Sequence, residues 1–348
     1  MKELARRICV ILHDYHNYNG FNFTPEHVIN WASQFEKDDQ QFILNEFYHL
    51  LNQGIYIDEQ KTRRLLLSNL IELAKLFKFR RMSDFLNNAN FVQLQPAGKS
   101  QWFILNLLDN VLRENYPICL KECGASSGKY TVYLDDILAT GGTVYADAEK
   151  WLSIKDETGK SNFQKVIAKE AIFIVSVFAK HIWGSSNVRI RLNNKFGNPD
   201  LILFHSNYDI ENHPTYQNQK MNFAYPVDSG IKEVKEYFTN LQAIYNGEYA
   251  YRKNKIPQEE VFFSSPQNRI RFENIILIKG IKQLRKVVKL QVNQRPLGVT
   301  NPTKKPFGTG TLFFSWRNIS NTSPIVFWWK TSGSDWYPLF PLVNRGKN

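Results

Sequence analysis

Apolar residues recur at helical spacing through the first part of the chain: Leu4, Ile8, Ile11 and Leu12, then Phe42, Ile43, Phe47, Leu50 and Leu51, then Leu66, Leu67, Leu70, Ile71, Ala74 and Phe77. Stripes three and four apart mark one buried face of each helix. A start signal precedes the second set. Thr24 suits the cap, Pro25 the first helical position, and Phe23 a staple onto the next turn. The pattern predicts an N-terminal helical module over residues 1–88, a cap or docking element.

From residue 89 the rhythm changes. A short alternating strand from Asn90 runs into the loop Gln95-Pro96-Ala97-Gly98-Lys99-Ser100. A helical stripe follows at Phe103, Ile104, Leu107, Leu108, Val111 and Leu112. Next come a strand from Tyr130 to Leu134, a tight turn at Thr140-Gly141-Gly142-Thr143, and a helix from Val144 to Leu152. Ala171 to Phe178 is apolar throughout, as a strand covered on both faces must be. Short strands are expected at Val188–Leu192 and Leu201–His205. Alternating strand and helix predicts an α/β domain with a mostly parallel sheet over residues 89–348. Residues 206–266, rich in Asn, Gln, Tyr and His with a helix around Ile231–Tyr245, read as an insertion. Asn268–Val288 reads as a basic helix, and Thr311–Trp316 and Pro324–Trp329 read as closing strands.

The chain has 348 residues, long enough for about two domains. The net charge of +12 favours anionic partners: nucleic acid, nucleotides, diphosphates. Three cysteines, Cys9, Cys119 and Cys123, give no disulfide framework and point to a reducing compartment. The apolar run near the N-terminus is too short and polar for a signal peptide or a membrane span, so a cytoplasmic protein without membrane association is expected. His13 and His16 lack an acid-rich partner segment, so no protein-held metal site is expected.

The chemistry concentrates in Tyr133-Leu134-Asp135-Asp136-Ile137-Leu138-Ala139-Thr140-Gly141-Gly142-Thr143. Parallel sheets bind ligands beyond the carboxyl ends of their strands, which is where Asp135 and Asp136 are expected. Glycines let backbone N–H groups wrap an anion, and a helix N-terminus adds donors and positive potential. Carboxylates beside a phosphate cradle make sense for a phosphorylated sugar, whose hydroxyls the acids accept from. The segment resembles the 5-phosphoribosyl-1-diphosphate (PRPP) motif of type I phosphoribosyltransferases. The resemblance implies that Asp135 and Asp136 hold the ribose hydroxyls. It also implies that Ala139, Thr140, Gly141, Gly142 and Thr143 hold the 5′-phosphate, and that Mg²⁺ is carried mainly by PRPP's own oxygens. In the place of the family's diphosphate loop stand Gly98, Lys99 and Ser100. Lys121–Lys129 is short for the family's flexible lid.

The C-terminal stretch from Gly308 to Trp329 adds a looser resemblance, to phosphoribosyltransferase-like effectors of bacterial conflict systems, some encoded beside retron reverse transcriptases. There Asn321 and Thr322 would shape a base or acceptor pocket, or simply make a turn. The basic run containing Lys282, Arg285, Lys286 and Lys289 reads either as a contact for a nucleic acid or a reverse transcriptase–nucleic-acid complex, or as a solvated helix. Three functions remain open: a transferase acting at ribose C1′, a nucleotide-sensing subunit of a nucleoprotein complex, and a toxin acting on ribonucleotides within nucleic acid.

Overall fold

The computed structural model describes residues 1–213, 220–242, 249–287, 291–300, 305–330 and 335–342. The chain divides into two compact units: Gln60–Ile210, and a second built from Met1–Glu59 together with Glu211–Asn348. The boundary expected at residue 88 falls inside the first of these.

The Gln60–Ile210 unit carries helices α1 (Glu59–Leu76) and α2 (Met82–Asn88), strand β1 (Ala89–Phe91) and helix α3 (Ser100–Asn115). Strand β2 (Tyr130–Leu138), α4 (Gly142–Ser153), α5 (Asn162–Ile167), β3 (Ile172–His181), α6 (Ile182–Phe196) and β4 (Ile202–Ile210) complete it. The four strands lie in chain order and all run parallel. The expected α/β class and parallel sheet are present. The apolar run predicted to lie mid-sheet is β3, paired on both edges. On one face Tyr133, Phe173, Val175 and Val177 pack against Val144, Ala148 and Trp151 of α4 and Val188 and Leu192 of α6. Helix α1 reaches β3 and β4 through polar groups. Asn69 Nδ2 donates to Ser176 Oγ at 3.4 Å, and the Glu72 carboxylate meets His205 Nε2 at 2.9 Å. The same helix buries Leu66, Leu70, Leu73 and Ala74.

Two local expectations are corrected here. Val188–Leu192 is the middle of α6, not a strand: its apolar members Val188 and Leu192 are four apart and share one buried helical face. Strand β2 continues past Leu134 to Leu138, so the acid pair lies within the strand, with Asp135 opposite Val177.

In the other unit, the helices Lys2–Ile11, Pro25–Ala32 and Gln40–Leu50 share a core with the last third of the chain. Thr24 caps as expected, its hydroxyl accepting from His27 N at 3.2 Å. Trp31 stacks on Phe327 with ring centroids 5.5 Å apart and donates its indole N–H to Val326 O at 2.9 Å. Phe47, Phe314 and Phe340 close the cluster, and Trp328 and Trp336 are buried beside it. The tryptophans near the C-terminus are therefore core residues. Residues 1–59 are not a free-standing module, because their apolar stripes find cover on residues more than 150 positions away. The stretch 206–266 is likewise no insertion. It begins inside β4, and from Glu211 it belongs to this unit, with a helix at Lys232–Gln242. The expected strand at Pro324–Trp329 is instead a 3-10 turn, Ile325–Phe327; the strands here are Tyr56–Ile57, Phe314–Ser315 and Asn318–Ile319. No described helix is long and apolar enough to cross a membrane.

Candidate functional site

Strand β2 leads through Ala139 and Thr140 to Gly141, which sits at φ 83°, the left-handed region, as the residue before α4. No side chain caps the helix there, so its first N–H groups face outward. A Cβ on Gly142 would find only Thr140 Oγ1 within 4 Å, at 3.9 Å, so the space over the helix N-terminus is open. The positive φ belongs to Gly141 and the open approach to Gly142: the two glycines do different work. One strand over, the loop after β1 turns at Gly98, φ 84°, and enters α3 behind Lys99, again with no side-chain cap. Lys99 and Thr143 are exposed, Ser100 and Thr140 half-buried. Two uncapped helix N-termini thus follow adjacent parallel strands, each an anion site in electrostatic terms.

The two acids between them differ. Asp136 is half-buried, its Oδ1 accepting from Ile137 N at 2.8 Å. Asp135 is only 6% exposed. Its Oδ1 accepts from Asp136 N at 2.9 Å and its Oδ2 from Gln95 Nε2 at 2.9 Å, and Ser100 also bonds to the carboxyl. Burial, with the Asp136 charge beside it, pushes Asp135 up to about 7, against the downward pull of these hydrogen bonds.

A comparison with family models matches the PRTase-CE model over residues 28–342. The chain belongs to the PRTase-CE family. It therefore contains a phosphoribosyltransferase-like domain, as the β2–α4 motif implied. Comparisons with curated proteins and with solved structures give no match.

In this PRTase-CE chain the structure draws in four residues to which the sequence alone assigned no role: Gln95, Gln101, Tyr133 and Asp147. Gln95 Nε2 also donates to Tyr133 Oη at 2.6 Å, and Tyr133 Oη donates to Asp147 Oδ2 of α4 at 2.9 Å. Gln101 Oε1 accepts from Leu94 N at 2.6 Å and Gln95 N at 2.9 Å, which fixes the backbone at the loop's start. Burial raises the pKa of both Asp147 and Tyr133. One signal was available. Tyr133 and Asp135 are two apart on a strand and so share a face.

The remaining candidates of the PRTase-CE chain lie elsewhere. Lys121–Lys129 is no lid. It is held at the amino end of β2, opposite the site: Gly124 N and Ser126 N each donate at 2.8 Å to Leu86 O and Asn87 O, and Ser127 Oγ to Asn88 Oδ1 at 2.5 Å. Asn321 and Thr322 belong to the other unit. There the Thr322 hydroxyl, buried, bonds the hydroxyls of Thr311 and Ser320, each at 2.7 Å, and Asn321 is exposed. The basic run is opposed by acids, some close in sequence and some remote. Arg269 is buried between Glu260 and Glu273, Arg271 meets Asp39 at 2.8 Å, Lys282 meets Glu36 at 3.5 Å, and Arg285 meets Glu236 at 3.4 Å. Lys305 is buried over Phe223 and Tyr225, which pulls it down to about 7. Lys286 is exposed, and Lys289 lies outside the described residues. Among the described residues no group of three or more His, Cys, Asp or Glu is placed to hold a metal ion.

Proposed function

We propose that the Gln60–Ile210 unit binds PRPP, or a related phosphoribosyl nucleotide, across the carboxyl edge of β1 and β2 and acts at ribose C1′. The observation that carries this reading is the pair of uncapped helix N-termini flanking Asp136. PRPP has anionic groups at both ends and hydroxyls between them. The 5′-phosphate suits the N–H groups from Thr140 to Thr143 at the start of α4. The diphosphate suits the Gly98–Ser100 loop at the start of α3, with Lys99 offsetting its charge. Asp136 accepts from the ribose hydroxyls.

Mg²⁺ fits this arrangement as an ion carried by the ligand. It commonly keeps waters and substrate phosphates as ligands, and the chain supplies no cluster of its own among the described residues. When bound it supplies charge neutralisation at the diphosphate. In the transfer, the C1′–oxygen bond to diphosphate breaks, the electron pair leaves with diphosphate toward α3, and the acceptor's lone pair forms the new bond at C1′. The chain's part is to hold phosphate and diphosphate in line and to stabilise the departing charge.

The wider role, as an effector of a bacterial anti-phage or retron toxin–antitoxin system, is supported by the likeness of residues 308–329 to such effectors. The pinned Lys121–Lys129 segment favours a second reading, a PRPP sensor that binds without turnover, because a lid is what excludes water during transfer. The test is Mg·PRPP binding by calorimetry together with diphosphate release. Binding with release supports the transferase, and binding without release the sensor. No binding by the wild type, or unchanged binding by Asp136→Asn, overturns both.

A further inference from the structure

Asp135 and Asp136 are neighbours in the motif but not in their surroundings. Asp135 is 6% exposed where Asp136 is half-buried, and its carboxylate is held by several donors: Oδ1 by Asp136 N, Oδ2 by Gln95 Nε2, with Tyr133 Oη 3.3 Å away and Ser100 bonded to the carboxyl. Gln95 and Ser100 are the two ends of the loop that turns at Gly98. One carboxylate therefore ties both ends of that loop to β2.

The donors can be counted. The two Gln95 Nε2 protons go to Tyr133 Oη and Asp135 Oδ2. Tyr133 has one proton, and the shorter bond, 2.9 Å against 3.3 Å, gives it to Asp147. Asp147 lies on α4, the helix whose N-terminus forms the second anion site. Gln95 thus links the loop before α3, the acid strand and helix α4 in one buried set of bonds. Opening these buried bonds would expose unsatisfied groups, which holds the set closed.

We propose that Asp135 is a positioning residue that fixes the Gln95–Ser100 loop for the diphosphate, with Gln95 as its partner, and that Asp136 alone of the pair meets the sugar. This rests on the phosphoribosyl reading of the β2 edge. It assigns to the first acid of the motif a structural hold on the neighbouring anion site in place of a ligand contact.

The experiment compares the full chain with Asp135→Asn, Gln95→Met and Asp136→Asn, using calorimetry with ribose 5-phosphate and with Mg·PRPP. Ribose 5-phosphate lacks the diphosphate and does not need the loop. Asp136→Asn should weaken both ligands by about tenfold or more, the scale of one charge-assisted hydrogen bond. Asp135→Asn and Gln95→Met should keep ribose 5-phosphate within about threefold and lose about tenfold or more for Mg·PRPP. General damage to the fold would not separate the two ligands. A loss of ribose 5-phosphate binding in Asp135→Asn equal to that in Asp136→Asn overturns the proposal.

A second measurement needs no ligand. Lys99 is exposed at the turn of the loop, so tryptic cleavage after Lys99, followed by peptide mapping, reports loop opening. Cleavage should accelerate in Asp135→Asn and Gln95→Met and stay at the wild-type rate in Asp136→Asn. Equal rates in all four proteins overturn the positioning role. A wild type that binds neither ligand defeats the phosphoribosyl reading, and cleavage then decides the positioning role separately.

Discussion

Gly141 and Gly184 lie so close that neither has room for a side chain. A Cβ on Gly141 would stand 2.5 Å from Gly184 O, and one on Gly184 would stand 1.9 Å from Ala139 O. The start of α6 is thereby seated directly on the turn that opens α4. The proposed phosphate cradle is thus shaped from behind by a second helix, not by its own loop alone.

This separates the roles of three glycines. Gly184→Ala forces backbone apart and should cost about 1–3 kcal/mol, with loss of ribose 5-phosphate binding as the turn shifts. Gly141→Ala adds the strain of a left-handed φ to the same clash. Gly142→Ala meets only Thr140 Oγ1 at 3.9 Å, so the variant should melt at or above the wild-type temperature while binding phosphate ligands more weakly. Thermal melts and calorimetry on the three variants check this. A Gly142→Ala protein with full affinity would place the phosphate elsewhere.

The buried acid predicts a pH dependence. Folded Asp135 holds its proton up to about pH 7, whereas the unfolded chain releases it near the ordinary 3.8. Between those values the folded state binds more protons than the unfolded state, so this group's contribution to stability falls as pH rises through that window. In Asp135→Asn that component of the slope should vanish. Melting temperatures from pH 5 to pH 8 provide the comparison, and parallel profiles for the two proteins would contradict the assignment.

In the basic helix Pro266–Leu284, burial separates cations that look alike in sequence. Arg269 is 1% exposed and bonds Glu260, Glu273 and the carbonyls of Met221 and Phe223. Arg269→Met leaves Glu260 without its cation, while Glu273 keeps Arg252 at 3.1 Å, a loss of about 3 kcal/mol and on the order of 10 °C in Tm. Lys282 is half-exposed beside Glu36, and Lys282→Ala should move Tm little. Similar melts for the two variants would be the contrary result.

The site was legible where its parts are contiguous. Strand, acids, glycine turn and helix follow one another from Tyr133 to Ser153, and each residue type states its own requirement. Gln95, Tyr133 and Asp147 were not legible as a set. Gln95 lies 38 positions from Tyr133 and 40 from Asp135, and a glutamine or tyrosine is compatible with almost any setting until its partner is known. The same distance hid the division into units. Phe47 and Trp31 announce a buried face, but nothing local says that Phe327 and Phe340 will cover it. Opposite charges were hidden likewise, since Asp39 and Glu36 answer cations some 230 to 250 positions later.

The unit formed by Met1–Glu59 and Glu211–Asn348 also sets an order of events during synthesis. Its first helices emerge from the ribosome with apolar faces whose cover, Phe314, Phe327 and Phe340, has not yet been translated. At about 5–20 residues per second, that wait lasts from roughly ten seconds to nearly a minute. Gln60–Ile210 meets no such delay within its own sequence, so the sheet and the helix N-termini at its edge can form while the other unit is still waiting for its second half. A newborn chain would then have a finished sheet, with the proposed site on its edge, before it has a finished body, and chaperone demand should fall on residues 1–59.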